Sequence, residues 1–218
     1  MAHEWDSAEY VKDWYRHDTQ VQLLTLPMEI AVALVSDDGL PVGRVIDLGS
    51  GPGRFLARFL DEFPQAEGVW VDSSPHMAEI ARETLARVAD RVTFLIADAS
   101  RPGDLDGGQA DVVVTSRMVH HFSPQEIRSF YDWAARALGD RGYLINLDHF
   151  GSPPDWESRY RSIRRRLLGA RPASQSHGHD HHFQPLDRHL EWLGAAGFDS
   201  DVAWKAFHTA LLVGRIGD

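Results

Sequence analysis

The chain has 218 residues, of which 43% are hydrophobic, enough to bury the core of one domain. Its formal charge of −10 argues against nucleic acid as a partner, because a polyanion is bound by a positive surface. It contains no cysteine, which excludes disulfides and thiolate zinc sites, and it shows neither a signal peptide at its start nor an apolar stretch long enough to span a membrane. We therefore expect a cytoplasmic protein.

The first segment of the chain has the periodicity of helices. Residues 7–36 predict two helices separated at Pro27, the first of them with Val11 and Trp14 on its apolar face. Strands and helices then alternate to about residue 150, as a parallel doubly wound sheet requires.

A glycine-rich turn follows the first predicted strand, which spans residues 44–48. Its glycines, Gly49, Gly51 and Gly53, let the backbone turn sharply and approach a ligand with no Cβ in the way. Dinucleotide-binding turns favour the spacing G-x-G-x-x-G and hold a pyrophosphate at the helix N-terminus, whereas the spacing here is G-x-G-x-G. The carboxylate of Asp47 would repel a pyrophosphate and attract a cation. The turn therefore favours S-adenosylmethionine (SAM), which carries a sulfonium and an ammonium group.

Polar residues end the next three predicted strands. Asp72 lies about twenty residues beyond the turn, the interval at which an acid meets ribose hydroxyls in such folds. Met77, one turn into the next helix, offers a surface for an adenine ring, and Asp98 ends the third strand with an acceptor for the adenine amino group. Ser116 ends the fourth strand, so these side chains share the sheet edge where open α/β folds bind ligands. Each aspartate taken alone is equally explained as a helix cap.

Two further strands end the chain. Residues 200–207 and 209–216 are joined by almost nothing, which requires an antiparallel pair, since parallel neighbours need a long crossover. The complete pattern predicts an α/β fold with a Rossmann-like, doubly wound sheet of seven strands. The sheet is mostly parallel with an antiparallel last strand, it has helices on both faces, and a helical lid lies between strands 5 and 6.

These motifs resemble class I SAM-dependent methyltransferases of the small-molecule kind, similar to ubiquinone/menaquinone C-methyltransferases and trans-aconitate methyltransferases. The matching segments are residues 47–53, 72–77, 97–99, 119–122, 138–142 and 195–198. The resemblance implies N-terminal helices (1–36) that cover the cofactor pocket of a methyltransferase domain (37–218). Motifs and resemblance together predict a SAM site made of Tyr15, Asp47, Gly49, Ser50, Gly51, Gly53, Asp72, Ser73, Met77, Asp98, Ala99, Ser116 and Arg117.

The predicted lid occupies about residues 151–185 and is expected to carry substrate specificity. Within it, residues 155–168 predict an amphipathic helix whose apolar face is Trp156, Tyr160, Ile163 and Leu167. The rest of the helix and its flank carry Arg159, Arg161, Arg164, Arg165, Arg166 and Arg171. These arginines are either a solvated surface or a clamp for an anionic acceptor, since guanidinium groups hold carboxylates and phosphates bidentately.

A histidine-rich segment, 177–182, follows the arginines. Its imidazoles and carboxylate have the ligand chemistry of a zinc, nickel or iron site, or supply a base to the active site. A glycine-containing loop does not give the rigid spacing of a closed metal site, so no resident metal is predicted.

Histidines are also the candidate catalytic residues. Methyl transfer from a sulfonium is an in-line displacement that positioning accelerates, and an oxygen or nitrogen nucleophile also needs a base with a pKa near neutrality. His121, which with His120 follows strand 4, and His149, which follows strand 5, are predicted to serve. We thus predict methyl transfer to an O, N or C atom of a small acceptor, and the arginine clamp, where it applies, makes that acceptor anionic. The alternatives are an RNA- or protein-modifying or carboxy-SAM-forming enzyme, and a SAM-binding protein with non-methylating chemistry.

Overall fold

Seven strands form one sheet in the order β3-β2-β1-β4-β5-β7-β6. The computed structural model describes residues 5, 7–16, 21–101, 109–168 and 183–217. The strands are β1 (Arg44–Leu48), β2 (Glu67–Asp72), β3 (Val92–Ile96), β4 (Val112–Ser116), β5 (Gly142–His149), β6 (Asp199–Ala206) and β7 (Thr209–Ile216). Strands β1 to β5 pair in parallel, and β7 is antiparallel to both β5 and β6. The predicted α/β sheet with a reversed last strand is confirmed.

Seven α-helices surround the sheet in the part of the chain that the structure describes. They are α1 (Ala8–Arg16), α2 (Val21–Asp37), α3 (Arg54–Glu62), α4 (Pro75–Thr84), α5 (Pro124–Leu138), α6 (Pro154–Leu168) and α7 (Leu186–Ala195). The predicted break at Pro27 is wrong, because α2 runs through this proline. Leu24, Met28 and Ala31 on α2 are buried in the core, and this burial outweighs the one backbone hydrogen bond that a proline removes.

Apolar side chains fill a core on each face of the sheet. Val45 and Val112 point to the face covered by α2, α3 and α4, whereas their neighbours Ile46 and Val113 point to the face covered by α5 and α7. Helices on both faces follow directly from this alternation. Within the described ranges, no helix has both the length and the apolar character needed to cross a bilayer.

The lid helix α6 begins one residue before its predicted start and buries only part of its predicted apolar face, together with one arginine. Trp156 and Leu167 of the predicted apolar face are 49% and 63% exposed, whereas Arg164 is only 8% exposed. The reason is tertiary: Tyr160 packs on Phe207 with ring centroids 6.0 Å apart, and Arg164 shares that face of the helix one turn later. Arg171 and the histidine-rich segment 177–182 lie outside the described residues.

Candidate active site

The turn between β1 and α3 is held in place by two hydrogen bonds to residues of β2. The amide N–H of Ser50 donates to the Val71 carbonyl at 3.0 Å, and the indole N–H of Trp70 donates to the Gly51 carbonyl at 2.9 Å. Gly51 has φ +52°, and no atom lies within 4 Å of the position that a Cβ would take. The backbone here is therefore accessible to a ligand, as the sequence predicted.

Asp47 lies beneath the turn and is 1% exposed. One of its oxygens, Oδ2, accepts from the Ser50 hydroxyl at 2.6 Å and from the Leu56 amide at 3.2 Å, while Oδ1 is buried with no hydrogen-bond partner. Burial raises the pKa of Asp47 to about 7, against the two hydrogen bonds that lower it. A carboxylate in this state is stabilised by a nearby cation.

Asp72, at the end of β2, connects the glycine turn that follows β1 to the residue that precedes α4. Its Oδ2 accepts from the Gly51 amide and its Oδ1 from the Ser74 amide, both at 2.9 Å. Burial raises the pKa of Asp72, while these amides oppose the rise. The predicted residues Asp47, Gly49, Ser50, Gly51, Gly53 and Asp72 thus come together in one region, with the exposed Ser73 beside them.

The residues predicted to surround an adenine ring already make contacts within the protein. Asp98 is exposed, but its Oδ1 accepts from both the amide and the hydroxyl of Ser100, at 2.9 and 2.7 Å, as a turn-capping aspartate does. Met77 is 2% exposed and Ala99 is 8% exposed, so both pack mainly against protein. Their contacts with an adenine ring stay predictions.

The first helix lies close to the ends of β1 and β4. Two cation–π contacts link it to the site: the Arg54 guanidinium lies 4.8 Å from the Tyr15 ring centroid, and that of Arg117 lies 4.8 Å from the Trp14 centroid. Next to Arg117, the Ser116 hydroxyl oxygen is buried without a hydrogen-bond partner. Tyr15, Ser116 and Arg117 therefore lie near the predicted pocket, and a covering role for α1 stays a prediction.

A buried histidine–aspartate pair lies at the ends of β4 and β5. The Nδ1 atom of His120 and Oδ1 of Asp148 are 2.6 Å apart, and Asp148 also accepts from the amides of His120 and His149. Burial alone would raise the pKa of Asp148, but His120 and the two amides hold it below its usual value. Asp148 is thus an ionised partner for the imidazole at neutral pH.

Two other histidines adjoin His120, and a third adjoins His149. The ring centroid of His121 is 4.0 Å from that of His120, His149 is 5.3 Å from His120, and His208 is 5.0 Å from His149. The Nδ1 atom of His149 lies 3.0 Å from the Thr209 hydroxyl. The structure therefore brings the predicted catalytic residues His121 and His149 together. Across the described ranges, no group of histidine and acidic side chains has a metal-binding arrangement.

Asp148 was not predicted as a site residue. It lies 28 residues from His120 in the chain, and the two meet only because β4 and β5 are neighbours in the sheet. A sequence signal existed nonetheless, since Asp148 follows the mostly apolar run 143–147, and an aspartate in a buried strand requires a partner.

Comparison with known proteins agrees with this geometry. A family model described as a methyltransferase domain matches residues 45–142, from β1 to the start of β5. An O-methyltransferase family protein from Burkholderia thailandensis superposes with a TM-score of 0.67 at 25% identity, covering 93% of this chain and 58% of that protein. The matched domain and the superposed protein are both methyltransferases, so the chain is similar to this class of enzyme over residues 45–142 and in its fold.

Two curated methyltransferases are also similar to this chain. Malonyl-[acyl-carrier protein] O-methyltransferase from Geobacter sulfurreducens is 29% identical over 175 residues, which are 79% of this chain and 62% of the relative. Trans-aconitate 2-methyltransferase from Methylobacterium nodulans is 27% identical over 98% of this chain and 76% of the relative. The chain thus spans less than two thirds of the first relative.

SAM is the cofactor that the sequence motifs predicted, and the residues of this chain fit its parts. The unpartnered, buried Oδ1 of Asp47 suits a cationic group, and the space over Gly51 admits a ligand close to the backbone. Asp72, at the end of β2, offers carboxylate lone pairs to hydroxyl donors.

Proposed function

We propose that this chain transfers the methyl group of SAM to a hydroxyl oxygen of a small molecule, with His120 as the general base. The observation that carries the proposal is the 2.6 Å contact between His120 Nδ1 and the buried carboxylate of Asp148. A hydroxyl group needs to lose a proton before or during methylation, and an imidazole oriented by a carboxylate is suited to accept it.

The pair determines which nitrogen is the base. Because the ionised Asp148 accepts from Nδ1, the neutral imidazole of His120 carries its proton on Nδ1, and Nε2 is its basic nitrogen. When Nε2 takes a proton from the acceptor, Asp148 stabilises the imidazolium that forms. Asp148 is itself held by the amides of His120 and His149, so the ring is fixed relative to both strands.

The remaining site residues bind SAM and cover it. When bound, SAM supplies a methyl group activated by the positive charge of its sulfonium. Asp47 offsets that charge, Asp72 accepts from the ribose hydroxyls, and α1 closes over them through Tyr15 and Trp14. In this proposal residues 1–36 cover the cofactor, and α6 forms the lid over the acceptor.

The test compares His120→Ala with His121→Ala and Asp148→Asn on phenols of graded acidity, from phenol to 4-nitrophenol. Loss of a general base typically lowers kcat/KM by about 10²–10⁴. We expect that loss in His120→Ala for phenol and much less for 4-nitrophenol, which is largely ionised already. Asp148→Asn should be intermediate, because it leaves the imidazole without its orienting charge.

SAM affinity, measured by calorimetry, serves as the control and should be unchanged in His120→Ala. His121→Ala should retain most of the activity. If His121→Ala or His149→Ala instead shows the acidity-dependent loss, the base is that histidine and the role proposed for His120 is wrong.

A second candidate function is methylation of a carboxylate. It is favoured by the names of the relatives, which are a malonyl-[acyl-carrier protein] O-methyltransferase and a trans-aconitate 2-methyltransferase. A carboxylate is ionised at neutral pH and needs no base. Trans-aconitate methylation that survives in His120→Ala, together with no turnover of any phenol, would favour this function over the first.

A further inference from the structure

One arginine of the lid helix differs from the others. Arg161 forms an ion pair with Glu157 at 3.0 Å, the Arg159 guanidinium lies 5.5 Å from the Trp156 ring centroid, and Arg165 and Arg166 are exposed. Arg164 is instead 8% exposed. The sequence gives no reason for this difference, since all of these arginines belong to the same basic run.

The guanidinium of Arg164 is incompletely satisfied. Its Nη2 atom is buried and has no hydrogen-bond partner. Burial lowers the pKa of Arg164, but an arginine remains charged at neutral pH. A buried charge without a partner is unfavourable, so this nitrogen is expected to receive an anion when the site is filled.

Arg164 lies one helical turn after Tyr160, which packs on the β6–β7 turn. Tyr160 contacts Phe207 at a centroid distance of 6.0 Å, and Lys205 Nζ lies 5.0 Å from the Tyr160 ring. The next residue of the β6–β7 turn, His208, lies 5.0 Å from His149 by ring centroids. The helix that carries Arg164 is therefore packed against the turn that adjoins the histidine group.

We propose that Arg164 binds a carboxylate group of the acceptor and so selects anionic acceptors. The proposal rests on the proposed function only in placing the acceptor beneath α6. A single planar guanidinium pairs bidentately with a single carboxylate, and it matches that charge one to one. Because Nη2 is closed to solvent, α6 moves to admit the acceptor, and the exposure of Trp156 and Leu167 leaves this helix lightly anchored.

The test uses acids and their uncharged counterparts as binding probes for the protein loaded with S-adenosylhomocysteine. The pairs are 4-hydroxyphenylacetate with 4-hydroxyphenylacetamide, 3-hydroxybenzoate with 3-hydroxybenzamide, and trans-aconitate with its trimethyl ester. Calorimetry then gives the affinity ratio within each pair for the wild type, Arg164→Met, Arg164→Lys and the matched control Arg165→Met. No methyl transfer is needed, so the outcome is independent of whether His120 is the base.

We expect at least one acid to bind the wild type about 10–100-fold more tightly than its uncharged counterpart, the range given by a charged hydrogen-bonded pair. Arg164→Met should abolish this preference, Arg164→Lys should keep part of it, and Arg165→Met should keep all of it. The proposal is overturned if no acid is preferred, if the preference survives in Arg164→Met, or if Arg165→Met loses it equally.

Thermal unfolding without ligand distinguishes binding from a structural role. Since the guanidinium is buried without a full set of partners, the Tm of Arg164→Met should be unchanged or higher than that of the wild type. A lower Tm together with an unchanged acid preference would make Arg164 a packing residue.

Discussion

At the scale of single residues, two buried aspartates at one sheet edge differ in their electrostatics. Asp148 accepts from His120 and two backbone amides, and its pKa is lowered. Asp47 has one oxygen with no hydrogen-bond partner, and burial raises its pKa to about 7. The two aspartates therefore suit different tasks. Asp148 is the fixed partner of an imidazole, and Asp47 is a group that ionises fully when a cation binds.

Asp47 makes cofactor binding dependent on pH. Below pH 7 the carboxyl is largely protonated, and a cation that favours the carboxylate must displace this proton. SAM affinity should therefore rise from about pH 5.5 to about pH 7, by up to about ten-fold per pH unit. In Asp47→Asn the affinity should be weaker and independent of pH over that range, as measured by calorimetry.

Asp98→Asn is the matched control for Asp47, because Asp98 follows strand β3 and is exposed. It should keep the pH dependence of the wild type even if its affinity changes. A wild-type affinity that is flat between pH 5.5 and 7 would mean that Asp47 does not meet the cation.

At the scale of elements, a buried polar network joins helices α5 and α7 to strand β5. The Tyr131 hydroxyl lies 2.6 Å from His189 Nδ1, and Asn146 Nδ2 donates to the Tyr131 oxygen at 3.3 Å. Burial lowers the pKa of His189 to about 4, so this imidazole is neutral and accepts from the tyrosine. The network fixes β5, and with it Asp148, against the helices on that face.

Tyr131→Phe tests this network. The change leaves His189 and Asn146 without their shared partner in a buried place, which should lower the free energy of unfolding by about 1–3 kcal/mol. Urea denaturation measures the loss, and Tyr160→Phe on the lid helix, which keeps the ring and removes a half-exposed hydroxyl, should change stability by less than about 0.5 kcal/mol. Equal effects of the two substitutions would contradict the role of the network.

His189 also makes the contribution of this network to stability depend on pH. Its folded pKa of about 4 is below the ordinary value of 6.5, so the unfolded chain binds a proton first as the pH falls. This contribution to stability is complete above about pH 6.5 and is lost as the pH falls toward about 4.

For the molecule as a whole, the net charge of −10 favours a small acceptor over a nucleic acid. A nucleic acid held by 6–10 phosphate contacts would lose about 10³–10⁵ in affinity between 50 and 200 mM salt. A small acceptor held by one buried arginine is screened far less, so its affinity should fall only about two- to three-fold over the same range. Titration of 4-hydroxyphenylacetate at both salt concentrations measures this, and a steep decrease would support a macromolecular acceptor.

Local patterns were enough to predict the sheet and the glycine turn. Strands β1 to β5 are short, largely apolar runs, and the short connection between β6 and β7 permits only an antiparallel pair. Pro27 shows where local reasoning failed, because helix formation at that position depends on burial against other elements. Arg164 shows the same for the lid, where the residues under α6 rather than its own periodicity determined which face is buried.

The sequence by itself therefore determined the order of the elements, the family resemblance and the residues around the glycine turn. These follow from signals within a few residues of one another, such as glycine spacing, capping and alternation. Only the tertiary structure decided that His120 rather than a neighbouring histidine has Asp148 as its partner, and that Arg164 is the buried arginine. Both depend on which strand or hairpin lies alongside, and that proximity is a property of the folded chain.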